Sequence, residues 1–305
     1  MDILVAGGTG FIGSYLCREL ADRGHQVTAL SRSPEDVFED ADSIETAVGD
    51  VTALDSIRET VAGHGAVVNL VALSPLFEPS GGNELHDTIH RGGTENLVAA
   101  AEDGGVDRFL QLSALGADPD GPTHYIRAKG RAEHIVREAD LEETIVRPSV
   151  VFGDGGEFVG FTKRLKSWFA PGVPVYPLPG GGRRTRFQPI HVEDLVPMLA
   201  TAIEDPEHAG ETYELGGPER LTLREVTELV YAAEGRDVRI VSLPMSLARV
   251  GLTTLSVVPG FPMGPDQYRS LTFDNTTENN DVGVFGLTED DLTTFGEYLS
   301  GTAAE

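Results

Sequence analysis

The sequence predicts an α/β protein: a doubly wound parallel sheet with a smaller C-terminal lobe. Three observations carry this. An apolar stretch, Ile3-Leu4-Val5-Ala6, runs straight into the glycine-rich turn Gly7-Gly8-Thr9-Gly10-Phe11-Ile12-Gly13. Strand-like and helix-like apolar periods then alternate up to about Pro148, and such alternation implies parallel strands joined by right-handed crossovers. After Pro148 the alternation loosens. Pro171, Pro174, Pro177 and Pro179, followed by Gly180-Gly181-Gly182, mark irregular chain. The expected division is residues 1–170 as a dinucleotide-binding domain and 171–305 as the smaller lobe, with about 187–217 returning to the core.

Each element has its own signal. The first strand starts at residue 2. Phe11, Ile12, Tyr15, Leu16 and Leu20 line one face of a first helix, while Arg18, Glu19, Asp22 and Arg23 lie off it. Residues 25–31 and 44–48 read as strands two and three. Leu54, Ile57 and Val61 share a helix face. Residues 66–72 form a nearly continuous apolar run, as in a strand covered on both sides. A long helical segment spans about 83–103, a strand 108–113, a helix 125–139 and a strand 143–146. In the second half, 187–202 reads as a short extended piece leading into a helix. Residues 222–233 form an amphipathic helix with Thr222 as N-cap and Glu225 three residues on. Leu243–Gly260, which contains Arg249 and ends at prolines, is too short and interrupted to cross a membrane. A helix beneath a lobe is its expected form, with docking on a membrane or partner as the alternative. No internal repeat is visible.

The glycine turn between strand and helix is what a dinucleotide phosphate site requires. Gly7 permits the tight turn, Gly10 lets backbone approach a pyrophosphate, and Gly13 lets the helix pack on the strand. The helix N-terminus adds free N–H groups and partial positive charge. At the end of strand two, an NAD site usually places an acid for the ribose 2′-hydroxyl. Here the chain reads Leu30-Ser31-Arg32-Ser33, with no acid from residue 25 to 34. Arg32, helped by Ser31 or Ser33, suits a 2′-phosphate, so NADP(H) is favoured over NAD(H). A plain surface arginine is the bland alternative.

A second chemical signal is Tyr125-Ile126-Arg127-Ala128-Lys129. Positions i and i+4 share a helix face. An ammonium near a phenol favours the phenolate, which is expected to lower the phenol pKa and let it exchange a proton with a carbonyl or carbinol oxygen. Ser113, at the end of the preceding strand, is placed to bind the same oxygen. A packed tyrosine and a solvated lysine are the structural alternative; the chain has only three lysines, Lys129, Lys163 and Lys166.

Taken with the segments 68–72, 111–117, 146–153 and 187–195, and with Ala132-Glu133 and Gly210–Gly217, these motifs resemble the atypical and extended branches of the short-chain dehydrogenase/reductase superfamily, a Rossmann-type fold. They look most like the NADPH-binding accessory subunit of respiratory complex I and its prokaryotic relatives. The resemblance runs from about residue 2 to 235; the stretch 243–267 also looks like that group's tail. It implies a catalytic set Ser113, Tyr125 and Lys129. It implies cofactor contacts at Gly7, Thr9, Gly10, Phe11, Ile12, Gly13, Arg32, Asp50, Val51, Ala72, Tyr125, Lys129 and Pro148. Asp50 matches a position that meets the adenine, or is simply a turn aspartate. Three functions stay open: an NADP(H)-dependent oxidoreductase, a non-catalytic NADPH-binding accessory or sensor protein, and a nucleotide-sugar epimerase or dehydratase. The last would use the cluster Arg183-Arg184-Thr185-Arg186 for an anionic substrate group, although the cluster also reads as a salt-bridged loop. His191 and Asp194 resemble a packing motif.

Composition sets limits. The net charge is −26, from 49 acids against 23 bases. Such acidity disfavours nucleic acid and anionic membranes as partners. Acids spread along the chain, as in Glu35-Asp36, Glu39-Asp40, Glu142-Glu143 and Glu289-Asp290-Asp291, point to the solvated surface of a halophile. The expected partners are a dinucleotide, an unidentified small molecule if the protein is an enzyme, and a respiratory complex. The single cysteine, Cys17, excludes an internal disulfide. His86 and His90 share helical spacing without the neighbours a zinc site needs. No signal peptide is evident. A cytoplasmic location is expected, with a peripheral position at the inner face of the membrane as the alternative.

Overall fold

A computed structural model describes residues 1–33, 37–38, 43–169, 175–244, 264–270 and 273–302. Pro171, Pro174 and the segment 245–263, which holds most of the Leu243–Gly260 stretch, lie outside these residues. The chain forms two units: Met1–Leu73 with Gly81–Pro148 and Val192–Glu214, and Ser74–Ser80 with Ser149–His191 and Leu215–Glu305.

The first unit alternates as the apolar pattern dictates. Strand β1 (Asp2–Ala6) leads to helix α1 (Phe11–Asp22), then β2 (Gln26–Ser31), β3 (Ile44–Val48), α2 (Leu54–Val61) and β4 (Ala66–Asn69). Helix α3 (Gly93–Gly104), β5 (Arg108–Leu112), α4 (His124–Glu138) and β6 (Glu142–Pro148) follow. A seventh strand, Thr212–Leu215, closes one edge, and the order is Thr212–Leu215, β6, β5, β4, β1, β2, β3. Every pair with a described register, from β6 across to β3, is parallel. The order reverses at β1, which lies between β2 and β4. Open sheets of this kind bind ligands at the carboxyl ends of the strands beside such a reversal.

Ile3, Leu4, Val5 and Ala6 are fully buried, as are Ala66, Val67 and Val68. Each large aliphatic side chain removed from water contributes about 1.5–3 kcal/mol. Helix α1 buries Gly13, Leu16, Cys17 and Leu20 and ends before Gly24, whose φ of 89° suits only glycine. Arg23 ties this end to the returning helix Val192–Glu204 through Thr201, Glu204 and the Pro197 carbonyl.

The expected long helix over 83–103 is divided: Asp87–Gly92 is a wide, π-type turn that runs into α3. At the junction a Cβ on Gly93 would lie 2.8 Å from Val51 Cγ2. The backbone approaches Val51 more closely than a side chain permits.

In the second unit, Phe152, Phe158, Phe161, Tyr176, Phe187 and Phe295 centre an aromatic core. Val175–Pro179 pairs in parallel with Arg239–Leu243. Helix Leu223–Ala233 opens with the expected capping box of Thr222 and Glu225. His191 is buried against Phe152 and Tyr298. No described helix is long and apolar enough to cross a membrane.

Candidate functional site

The first unit gathers the glycine turn, Ser31-Arg32, Asp50-Val51, Ala72, Ser113 and Pro148 at or just beyond the carboxyl ends of its parallel strands. Gly7 has φ 83° and hydrogen-bonds to the Leu30 carbonyl at 2.8 Å. A Cβ on it would press on Leu70 and Val71 backbone at 3.3 Å. Gly13 is tighter: its Cβ would stand 2.1 Å from the Gly7 carbonyl oxygen. Gly10, the N-cap of α1, is exposed. No side chain caps this helix and no acid occupies its first turn. The N–H groups of Phe11, Ile12 and Gly13 have no intrahelical acceptors. With the macrodipole behind them they form an anion-binding end.

The end of β2 offers a matching pair. The Ser31 hydroxyl is buried with no hydrogen-bond partner among the described residues, which costs about 1–3 kcal/mol unless a ligand answers it. Arg32 beside it is exposed. Asp50 accepts the Thr52 amide at 2.9 Å and the Thr52 hydroxyl at 2.7 Å. These bonds, with Arg32's charge adding to them, hold its carboxyl below the usual range. Val51 is buried, while Ala72 is exposed. The cradle that a Cβ would fill, the uncapped helix and the orphaned serine together fit a dinucleotide phosphate and ribose end.

Across the switch point, α4 carries Tyr125 and Lys129. Thr123 caps it by accepting the Ile126 amide. Lys129 is 2% exposed, and its Nζ donates to the Leu112 carbonyl at 2.7 Å and lies 5.9 Å from the Tyr125 ring centroid. Burial holds the Lys129 ammonium down to about 8, with Glu133's charge working the other way. The Tyr125 phenol departs from expectation. Burial pushes it above its ordinary value; the ammonium's hydrogen bond goes to the Leu112 carbonyl, so the expected lowering is not set up.

Ser113 is buried, and its hydroxyl donates to Glu133 Oε1 at 2.6 Å. Glu133, one helical turn beyond Lys129, is 1% exposed. Arg147 grips it with two bonds of 2.8 and 2.6 Å, and Arg137 adds a third at 3.0 Å. The structure therefore brings Ser113 into a carboxylate–guanidinium lock. Glu133 belonged to a recognised motif but was given no role from sequence. Its signal is spacing, since a glutamate four residues after Lys129 shares its helix face.

Sequence reasoning also passed over what His86 and His90 do. Both are buried, and their rings stack with centroids 5.5 Å apart. Each meets the Tyr125 ring edge to face, at 5.6 and 5.3 Å. Among the described residues no group of three metal-ligating side chains is placed to hold a metal. In the second unit, Arg186 is engaged by Asp274 in an ion pair of 2.8 Å.

Comparison with known proteins agrees with this geometry. A family model described as NAD(P)H-binding matches residues 7–166. The mitochondrial NADH dehydrogenase [ubiquinone] 1 alpha subcomplex subunit 9 of Arabidopsis thaliana is 32% identical over 295 residues, covering 90% of this chain and 71% of that protein. The chloroplastic divinyl chlorophyllide a 8-vinyl-reductase of Zea mays is 29% identical over 260 residues, 80% of this chain and 62% of that protein. Among solved structures, UDP-glucose 4-epimerase of Thermus thermophilus in complex with NAD superposes with a TM-score of 0.72 at 19% identity, over 100% of this chain and 98% of that one. The last similarity concerns the fold alone.

Proposed function

The chain belongs to the NAD(P)H-binding family, and on that premise we propose that it holds NADP(H) along the carboxyl ends of β1, β2, β4, β5 and β6. The supporting observation is the glycine cradle with its uncapped helix, beside the orphaned Ser31 hydroxyl and exposed Arg32. Gly7, Thr9, Gly10, Phe11, Ile12 and Gly13 would hold the phosphates, and Arg32 the 2′-phosphate. Asp50 and Val51 would border the adenine, with Ala72 and Pro148 along the far half. Ser113, Tyr125 and Lys129 would face the nicotinamide, which when bound supplies hydride chemistry. Tyr125 keeps its proton at Oη, and Lys129 supplies a fixed positive charge below about pH 8.

The test is the identity of the nucleotide. Nucleotide released from purified protein is expected to be NADP(H). Arg32→Gln should weaken NADPH binding by roughly 10- to 100-fold, the value of a hydrogen bond to a charged group, and leave NADH binding unchanged. Release of NAD alone, or an unchanged NADPH affinity in the variant, overturns the assignment. The net charge of −26 supports a salt-rich working environment, so the protein should be handled in high salt.

Two observations favour a second reading, in which the cofactor is retained rather than turned over. Ser113 spends its proton on Glu133, and the phenol of Tyr125 is harder to ionise than usual. That suits an accessory subunit of a respiratory complex, the kind of protein the Arabidopsis relative's name describes. Tyr125→Phe should then keep both cofactor affinity and biological activity. Loss of activity with affinity intact restores the enzyme reading.

A further inference from the structure

Tyr125 and Lys129 share their surroundings with a pair of histidines that no role yet accounts for. His90 is 2% exposed and His86 1%. They protrude from the wide turn Asp87–Gly92 and the residue just before it, where the helix is locally unwound. The Leu73 amide donates to His90 Nε2 at 3.3 Å. That nitrogen is therefore an acceptor, and in the neutral ring Nδ1 carries the proton. Nδ1 is buried and has no partner among the described residues. Burial first, then the charges of Lys129 and His86, hold His90 well below the histidine range. Its ring covers the Tyr125 ring edge to face and stacks on His86.

We propose that His90 is a positioning residue: an imidazole ring, anchored by the Leu73 amide on Nε2, that keeps water from the Tyr125 ring and the Lys129 ammonium and fixes the orientation of the tyrosine. A leucine could fill space, but it could not accept the Leu73 amide that anchors the ring. An aromatic hydrocarbon ring has the same lack. Imidazole supplies both an aromatic wall and that acceptor. Its orphaned N–H is the structural cost of that fit. The charged and titratable groups around it are His86, Tyr125, Lys129 and, one turn further along α4, Glu133. On the outer side of the same turn Asp87 is engaged by Arg91 and Arg131. Lys129 is thus the cation whose charge bears on this wall.

This inference rests on reading Tyr125 and Lys129 as the nicotinamide end of the site, but its test needs no cofactor. The chain has three lysines, so protein labelled at lysine Cε gives three resonances, and Lys129→Gln identifies one. In the wild type that resonance should titrate with a midpoint about 8. His90→Gln keeps an acceptor for Leu73 but opens the wall to water, and the midpoint should rise by about one unit or more toward the ordinary lysine value. His90→Phe keeps an aromatic ring but loses the Leu73 anchor, and the midpoint should lie closer to the wild-type value than in His90→Gln. In the wild type, ring nitrogen shifts should show His90 neutral and Nδ1-protonated from about pH 5.5 to 7.5, about one unit either side of an ordinary histidine. A Lys129 midpoint unmoved in His90→Gln overturns the proposal, as does a His90 that protonates near pH 6.5. The wild-type measurement decides even if a variant fails to fold. Cofactor titrations on the same samples judge the binding assignment separately.

Discussion

Replacing Gly13 with alanine would set a methyl carbon 2.1 Å from the Gly7 carbonyl oxygen and 2.8 Å from the Gly8 backbone. Carbon and oxygen ordinarily approach no closer than about 3.3 Å, even in favourable C–H···O contacts. Helix α1 must therefore retreat by about 1 Å from the turn, against a sheet whose β1 residues are fully buried. Overpacking of this kind costs about 1–3 kcal/mol, and a backbone obstacle on a buried helix places Gly13→Ala near the upper end. At roughly 2–4 °C per kcal/mol for a unit of this size, the melting temperature should fall by roughly 6–12 °C.

Gly10 provides the control. Its Cβ would meet only the Gly7 carbonyl oxygen, at 3.2 Å, and its φ of −77° suits alanine. Gly10→Ala should keep stability within about 1 kcal/mol. It should nonetheless weaken NADPH binding at least tenfold, because the methyl projects where backbone must approach the phosphates. Thermal melts by circular dichroism and fluorescence titration with NADPH separate the two effects. A Gly13→Ala protein that melts with the wild type would refute the packing argument. A Gly10→Ala protein with unchanged affinity would refute the cradle.

Two further predictions concern the buried charges on α4. Glu133→Gln keeps the shape of the side chain but leaves the Arg147 guanidinium, 22% exposed, with only the longer 3.6 Å ion pair to Glu214. Removing one member of such a pair should cost about 3 kcal/mol, read as a lower urea midpoint with unchanged slope; an unmoved midpoint would show the lock to be neutral. Lys129→Met acts in the opposite direction. Burial lowers the folded-state ammonium from 10.5 to about 8, so between those values the unfolded chain binds more protons and wild-type stability rises with pH. That gap corresponds to about 3 kcal/mol, and the lost hydrogen bond to Leu112 returns about 1. The methionine variant should be about 2 kcal/mol more stable than wild type at pH 7, an advantage that disappears by about pH 10.5. A variant less stable at pH 7 would contradict the buried charge.

Strands β1 and β4 were legible because each carries an apolar run, and the run at Ala66–Asn69 is buried on both faces as its pattern implies; the edge strand Thr212–Leu215 carries no such run and was not foreseen. Alternating periods survive translation into structure when one face of a helix and both faces of a strand must leave water. The break at Asp87–Gly92 was not legible. Where it meets α3, Gly93 packs against Val51, a contact between residues 42 positions apart in the chain. Local periodicity holds no record of such a contact. The glycine turn proposed as the phosphate cradle was legible for the converse reason: all its parts lie within seven consecutive residues. The chemistry of Ser113 was hidden because its partner Glu133 is 20 residues away and is fixed in turn by Arg147 on the next strand.

That difference in range explains why binding and catalysis stand on unequal ground in this chain. A phosphate site needs backbone N–H groups and the absence of side chains, which a run of glycines writes directly into sequence. A proton-transfer site needs a hydroxyl free to meet a substrate oxygen, and freedom depends on every neighbour that competes for the same proton. Ser113 has the residue type and strand-end position for the task, yet a buried carboxylate 2.6 Å away claims its hydrogen. The lock has a chemical consequence of its own. With its proton committed, the Ser113 oxygen presents lone pairs, so it favours a donor such as a carboxamide N–H over a carbonyl oxygen. A site so disposed is better suited to holding the amide of a nicotinamide than to polarising a ketone, and this is the physical content of the retained-cofactor reading.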